Sequence, residues 1–212
     1  MLDLVLPLEC GGCGAPGARW CEACATALRV RPDEPVVITP RLDPGVPVFA
    51  LGRHAGSRRQ AIVALKEHGR SDLVPPLAYA LAGGIQRLLT WGVLAESLAV
   101  VPAPTRRSAA RRRGGDPVTR CATRAVAAYP AITVAPALGL TRGVRDSVGL
   151  GSSDRQRNLA GRVRLRPGKL ISGVEVLVVD DIVTTGATAC ESVRVLSEAG
   201  VQVAAVLTLA YA

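Results

Sequence analysis

Val176-Leu177-Val178-Val179-Asp180-Asp181-Ile182-Val183-Thr184-Thr185-Gly186-Ala187-Thr188 is the stretch on which the fold turns. The four residues before the acids are all Val or Leu, the pattern of a strand covered on both faces in a parallel sheet. Ionised carboxylates are costly to bury, so Asp180 and Asp181 are expected to mark where the strand leaves the core. Thr184 to Thr188 lead into a helical segment that runs through Glu191 and Arg194 to Ala199, with Gly200 as its stop. A strand, a short turn and a helix amino end together form an anion site. Unpaired backbone N–H groups and the positive end of the helix dipole face the turn, Gly186 permits close approach of the backbone, and the threonine hydroxyls add donors.

Outward from this stretch, helices and strands alternate as in a parallel α/β protein. Val48–Leu51, Leu98–Val101, Val174–Val179 and Val203–Leu209 read as strands, with Ile132–Val134 and Val163–Leu165 as weaker ones. Arg58–Glu67 and Leu77–Leu89 read as helices, and Asp116-Pro117 supplies an N-cap and first-turn pair for a helix through Ala128. In such sheets ligands sit beyond the carboxyl ends of the strands, so the loops after Val101 and Val179 should face one crevice.

The amino end carries a second signal. Cys10-Gly-Gly-Cys13 and Cys21-Glu-Ala-Cys24 are two C-x-x-C pairs separated by seven residues, a spacing that suits four thiolates around tetrahedral zinc. A redox dithiol and a disulfide staple are the competing readings; the opening Met1–Leu6 is too short, and lacks the basic start, for a secretory signal. With all four cysteines as ligands the shell is closed, so the Zn2+ would be structural. Cys121 and Cys190 are expected to be buried and inert, and His54 and His68 to be structural. The chain therefore divides into a zinc-binding module over 1–30, a Pro-rich and helix-free linker over 31–47, and an α/β domain over 48–212.

The residues from Val176 to Thr188 resemble the phosphoribosyl pyrophosphate (PRPP) motif of type I phosphoribosyltransferases. Together with the preceding cysteine pairs they resemble the ComF group, bacterial proteins linked to competence and DNA utilisation. Gly56, Arg59, Ile62, Leu65, Lys66 and Gly69 match that family's Leu-Lys-x-x-Gly segment, Val101-Pro102-Ala103-Pro104 its Val-Pro-x-Pro loop, and Leu150, Arg155 and Asn158 its Leu-x4-Arg-x2-Asn pattern. The chain departs from it at Arg113-Gly114-Gly115-Asp116-Pro117, where the family has Arg-Gly-Phe-Asn-Gln, at Ser147, where it has Gln, and at His54, where it has Tyr.

The resemblance implies a type I phosphoribosyltransferase-like parallel sheet flanked by helices, preceded by the small zinc module. It implies that Asp180 and Asp181 hold the ribose hydroxyls and that Thr184, Thr185, Gly186, Ala187 and Thr188 take the 5′-phosphate. Pro102, Ala103, Pro104, Thr105 and Arg106 would lie at the pyrophosphate, with Mg2+ arriving alongside PRPP. Arg111, Arg112 and Arg113 are candidates for a flexible cover, and Lys66 is either a further anion contact or a surface lysine. Competence or DNA-processing proteins are implied as partners.

Composition bounds these readings. The 212 residues are 49% hydrophobic but only 3% aromatic, so the core must be built from Val, Leu, Ile and Ala. No uncharged apolar run reaches membrane-spanning length, and a cytoplasmic protein without membrane insertion is expected. The net charge is +9, with seven arginines from Arg106 to Arg124 and seven from Arg142 to Arg166. That surplus points to DNA, single-stranded or bound nonspecifically, as a polyanion partner. Lysine occurs only at 66 and 169, so arginine as the default cation is the competing explanation, and sparse aromatics argue against a base-stacking platform. Two function classes remain: a PRPP-binding enzyme or sensor, including a nucleobase salvage transferase, and a DNA-handling accessory protein without turnover.

Overall fold

In the computed structural model the described residues are 8–105, 115–141, 161–166, 168 and 173–212. They form a mixed α/β structure around a six-stranded sheet. The strands are β1 (Val36–Ile38), β2 (Val48–Ala50), β3 (Leu98–Pro102), β4 (Ile132–Val134), β7 (Glu175–Val183) and β8 (Val203–Tyr211), in the order β1-β2-β8-β7-β3-β4. All neighbours are parallel except β1, which pairs antiparallel with β2 at one edge. A separate antiparallel pair is made by β5 (Leu138–Leu140) and β6 (Val163–Leu165).

Side-chain alternation sorts the core onto two faces. Leu177 and Val179 of β7 and Leu207 and Leu209 of β8 join α2 (Gly56–Glu67), α3 (Val74–Thr90) and α4 (Pro117–Ala125). Val176, Val178 and Val206 point the other way, toward α5 (Ala187–Glu198), Leu138 and Val163. Burial on both sides is why β7 reads as an unbroken Val/Leu run rather than an alternating one.

Several boundaries differ from the sequence reading for local reasons. The helix expected from Leu77 begins at Val74, because Pro75 and Pro76 fit a first turn whose N–H groups need no partner. α4 stops at Ala125 instead of Ala128; the chain turns there, Tyr129 N donating to Val126 O at 2.8 Å, and Pro130 disfavours a helical residue before it. Its start is as expected, with the Asp116 carboxylate accepting from Thr119 N at 2.9 Å. The Pro-rich segment is free of helix, and it supplies the edge strand β1. Cys121 is buried, and burial pushes its thiol up to about 12. Cys190 is only half-buried on α5, short of the fully buried core cysteine expected.

The cysteine-bearing segment continues into a short helix, α1 (Glu22–Leu28), and docks on the turn between α2 and α3. Gly11 lies so close to Leu73 that a Cβ at this position would stand 2.6 Å from Leu73 Cδ2. Arg70 donates to the backbone carbonyls of Glu9 at 3.1 Å and Arg19 at 3.3 Å while its guanidinium grips Asp72. Leu73 is fully buried in the core as well as against Gly11. Leu73→Ala is therefore expected to destabilise the protein by about 2–5 kcal/mol, read as a lowered urea midpoint.

Candidate functional site

The chain passes from β3 through α4 to β4 on one side, then returns to place β7 on the other side of β3. That reversal opens a crevice at the carboxyl ends of β3 and β7, the place where open α/β sheets bind ligands. The two strands are in register up to Pro102 opposite Val179, and Ala103 N donates to Val179 O at 2.8 Å. The loop Pro102–Thr105 and the acid pair thus sit side by side.

The acids do not end the strand. β7 continues past them, Asp180 pairing with Thr208, Ile182 with Ala210 and Val183 with Tyr211. Asp181 is buried, 9% exposed, against the expectation that both carboxylates lie outside the core. The reason is a partner: Lys66 Nζ, from the last turn of α2, lies 2.8 Å from Asp181 Oδ2. A buried carboxylate is tolerated when an opposite charge compensates it. Lys66 keeps a third of its side chain exposed, and the nearby Asp181 raises its pKa and keeps it charged. Below this pair is a recess of about 10 Å³, lined by Ile62, Leu65, Leu77 and Cys121, with room for about one water molecule.

Asp180 is half-buried, and Asp181 N donates to its Oδ1 at 2.8 Å. Burial first, and the neighbouring Asp181 charge second, hold its pKa well above the usual carboxylate range; Lys66 opposes both. His54, next to β2, has its pKa lowered by burial and by Arg59, and its buried Nδ1 has no hydrogen-bond partner among the described residues. The charges of Asp181 and Lys66 also act on it, in opposite directions.

After β7 the backbone turns through Thr184 and Thr185 to Gly186, whose φ of 88° belongs to the left-handed region that favours glycine. Ala187 N donates to Thr185 Oγ1 at 3.4 Å, and α5 then runs to Glu198. Its amino end, carrying Ala187 and Thr188, faces the turn with the positive pole of the helix. The close approach at Gly186 is used by the chain itself. A Cβ there would lie 2.4 Å from Leu42 O and 2.9 Å from Pro40 Cβ, and Leu42 N donates to Thr185 O at 2.9 Å. The segment between β1 and β2 therefore straps one side of the turn. Nothing in the local sequence pattern signals this strap or the Lys66–Asp181 pair, because each joins segments distant along the chain. Arg106, Arg111, Arg112, Arg113, Leu150, Arg155 and Asn158 lie outside the described residues.

At the amino end, the sulfurs of Cys10, Cys13, Cys21 and Cys24 all lie within 4.8 Å of one another. Zinc–thiolate bonds of about 2.3 Å in a tetrahedron imply sulfur separations of roughly 3.8 Å, and Cys13 Sγ and Cys21 Sγ are 3.6 Å apart. Burial alone would raise the Cys10 thiol. N–H donation from Cys21 at 3.3 Å and Gly12 at 3.4 Å, with Cys13, overrides it and brings the pKa down to about 6. Those donors suit a thiolate ligand, and the four cysteines can hold a metal such as zinc.

Among the described residues no helix is long and apolar enough to cross a membrane. No protein-family model and no curated protein matches the chain.

Two outcomes follow from this geometry. Asp180 has a folded-state pKa above its unfolded value, so its contribution to stability falls as pH rises from the ordinary carboxylate range toward the raised value. Asp180→Asn should remove that slope and leave the ligand-free protein more stable at neutral pH, measured by urea denaturation at several pH values. Cys13→Ser should lower the zinc content of the purified protein, measured by elemental analysis, and reduce its folded yield.

Proposed function

We propose that the protein binds PRPP·Mg in the crevice between β3 and β7 and belongs among ComF-like type I phosphoribosyltransferases, with a structural zinc in the four-cysteine module. The observation that carries this reading is the order of groups along one continuous piece of chain at the switch point. An acid pair is followed within a few residues by a positive-φ glycine turn that opens a helix. Carboxylates are acceptors for vicinal ribose hydroxyls, and N–H groups at a helix amino end are donors for a phosphate.

On this reading Asp180 and Asp181 accept from the ribose 2′- and 3′-hydroxyls and lower the energy of positive charge growing at C1′. The turn from Thr184 to Thr188 takes the 5′-phosphate on the side that the Pro40–Leu42 strap leaves uncovered. Pro102, Ala103, Pro104 and Thr105, held beside the acids by the register of β3 on β7, face the pyrophosphate. A nitrogen nucleophile would then displace pyrophosphate at C1′, forming a C–N bond as the C–O bond breaks.

A second reading rests on the net charge of +9. A small-molecule site does not need that surplus, and it favours contact with DNA through phosphate neutralisation. The reading then becomes a DNA-handling accessory protein whose phosphoribosyl pocket holds nucleotide or strand-end phosphates.

Calorimetric titration of zinc-replete protein with PRPP and magnesium should show saturable binding, reduced about 100-fold or more in Asp180→Asn/Asp181→Asn through loss of charged hydrogen bonds. A folded wild-type protein that gives no heat would refute the PRPP reading. Salt-dependent DNA retention in that same protein would favour the second.

A further inference from the structure

The acid pair is not presented to the crevice as two equal carboxylates. Asp181 is tied at 2.8 Å to Lys66, while Asp180 carries its burial and the field of its neighbour. Asp116, at the start of α4, adds negative potential at Asp180; Glu67 reinforces the charge on Lys66; His54 sits in the field of Asp181, Arg59 and Lys66. Two neighbouring carboxylates without an internal cation are a common way to hold a hard divalent ion. Here an ammonium already stands at Asp181 Oδ2, where such an ion would bind.

The position of that ammonium is built into the fold. Lys66 lies on the last turn of α2, and the chain after it is bound back to the helix, with His68 N and Arg70 N each donating to Ala64 O at 3.1 Å. Arg70 is in turn anchored on the carbonyls of Glu9 and Arg19 beside the cysteines. What separates Lys66 from a freely rotating surface lysine is that only a third of its side chain is exposed and its ammonium stands 2.8 Å from Asp181 Oδ2.

We propose that Lys66 is a positioning residue that sets the charge of the Asp180–Asp181 pair and so its ligand preference. By neutralising Asp181 it excludes a bare divalent cation from the pair and leaves the carboxylates as hydrogen-bond acceptors for a sugar diol whose magnesium is carried on its own pyrophosphate. The inference deepens the PRPP reading and rests on it for the identity of the diol.

The test uses zinc-replete full-length protein and Mn2+ alone as the probe, followed by its electron paramagnetic resonance signal. Wild-type protein is expected to show no Mn2+ site that depends on Asp181. Lys66→Met should gain one, with Mn2+ held about ten-fold or more tighter than by wild type once the compensating charge is gone. That site should disappear in Lys66→Met/Asp181→Asn. Lys66→Arg, which keeps the charge, should behave like wild type toward Mn2+. In parallel, PRPP·Mg affinity should fall in Lys66→Met and be restored in Lys66→Arg.

A folded Lys66→Met that binds Mn2+ no better than wild type would overturn the proposal, as would a gained site that survives Asp181→Asn. Should Lys66→Met fail to fold, the wild-type arm still decides: Mn2+ bound to wild type and released by Asp181→Asn would sink the idea. Loss of the PRPP reading is a separate result, seen as wild-type protein that ignores PRPP·Mg while the Mn2+ arms behave as expected.

Discussion

A carboxylate inside a sheet strand is stable only where a partner balances it, and the Lys66–Asp181 ion pair supplies that balance at the most constrained point of this molecule. β7 is flanked by β3 and β8, and its apolar residues are buried on both faces. Its continuation through Asp180 to Val183 carries the pairing with β8 up to Tyr211. The ion pair lets a buried carboxylate lie within that pairing, where the central strand runs on toward the turn at Gly186.

The cysteine module takes part in the same arrangement. It brings Leu28 into the main core with Trp20 and Val30 packed against it, sets Gly11 on Leu73 and holds Arg70 by two backbone carbonyls. The last two contacts fall on the turn that closes α2, the helix whose last turn carries Lys66. A small Gly-rich segment has few ways to order itself without cross-links or a metal. Four sulfurs gathered within 4.8 Å can hold a metal that would give it that order, beside the turn that follows α2.

The long elements were legible in the residues because their burial is nearly complete. Val176 to Val179 is a continuous apolar run and Val203 to Leu209 is interrupted only by Thr208, the pattern of doubly covered strands. The αL turn at Gly186 and the cap at Asp116 were legible because their chemistry is local. What could not be read was non-local or short. β1 is three residues set inside a Pro-rich segment, and β5 is three residues with Gly139 at its centre, so neither stands out as a strand. α1 starts at the second cysteine pair, where metal-ligand spacing masks helical spacing. The acids were placed outside the core because the burial cost was weighed without Lys66, whose approach depends on how α2 packs rather than on any motif. Cys190 is only half-buried because it lies toward the flank of α5, and residue type alone does not say which side of a helix a cysteine occupies.

The two acids divide stability and reactivity between them. Asp181, compensated and buried, belongs to the scaffold as much as to the site. Asp180 lies beside it without an equal partner in its favour: burial and like charge both work against its ionised form. Such a group destabilises the empty protein at neutral pH, and a fold selected only for stability would replace it with an uncharged residue of the same shape. Its presence at a switch-point crevice, next to a helix amino end strapped from behind by Pro40 and Leu42, makes sense if something that enters from the open side relieves it. Hydroxyl donors from a sugar would do so directly, by hydrogen-bonding the ionised form and lowering its pKa. Burial and like charge thus oppose the ionised form of Asp180, while Lys66 compensates the charge of Asp181 beside it.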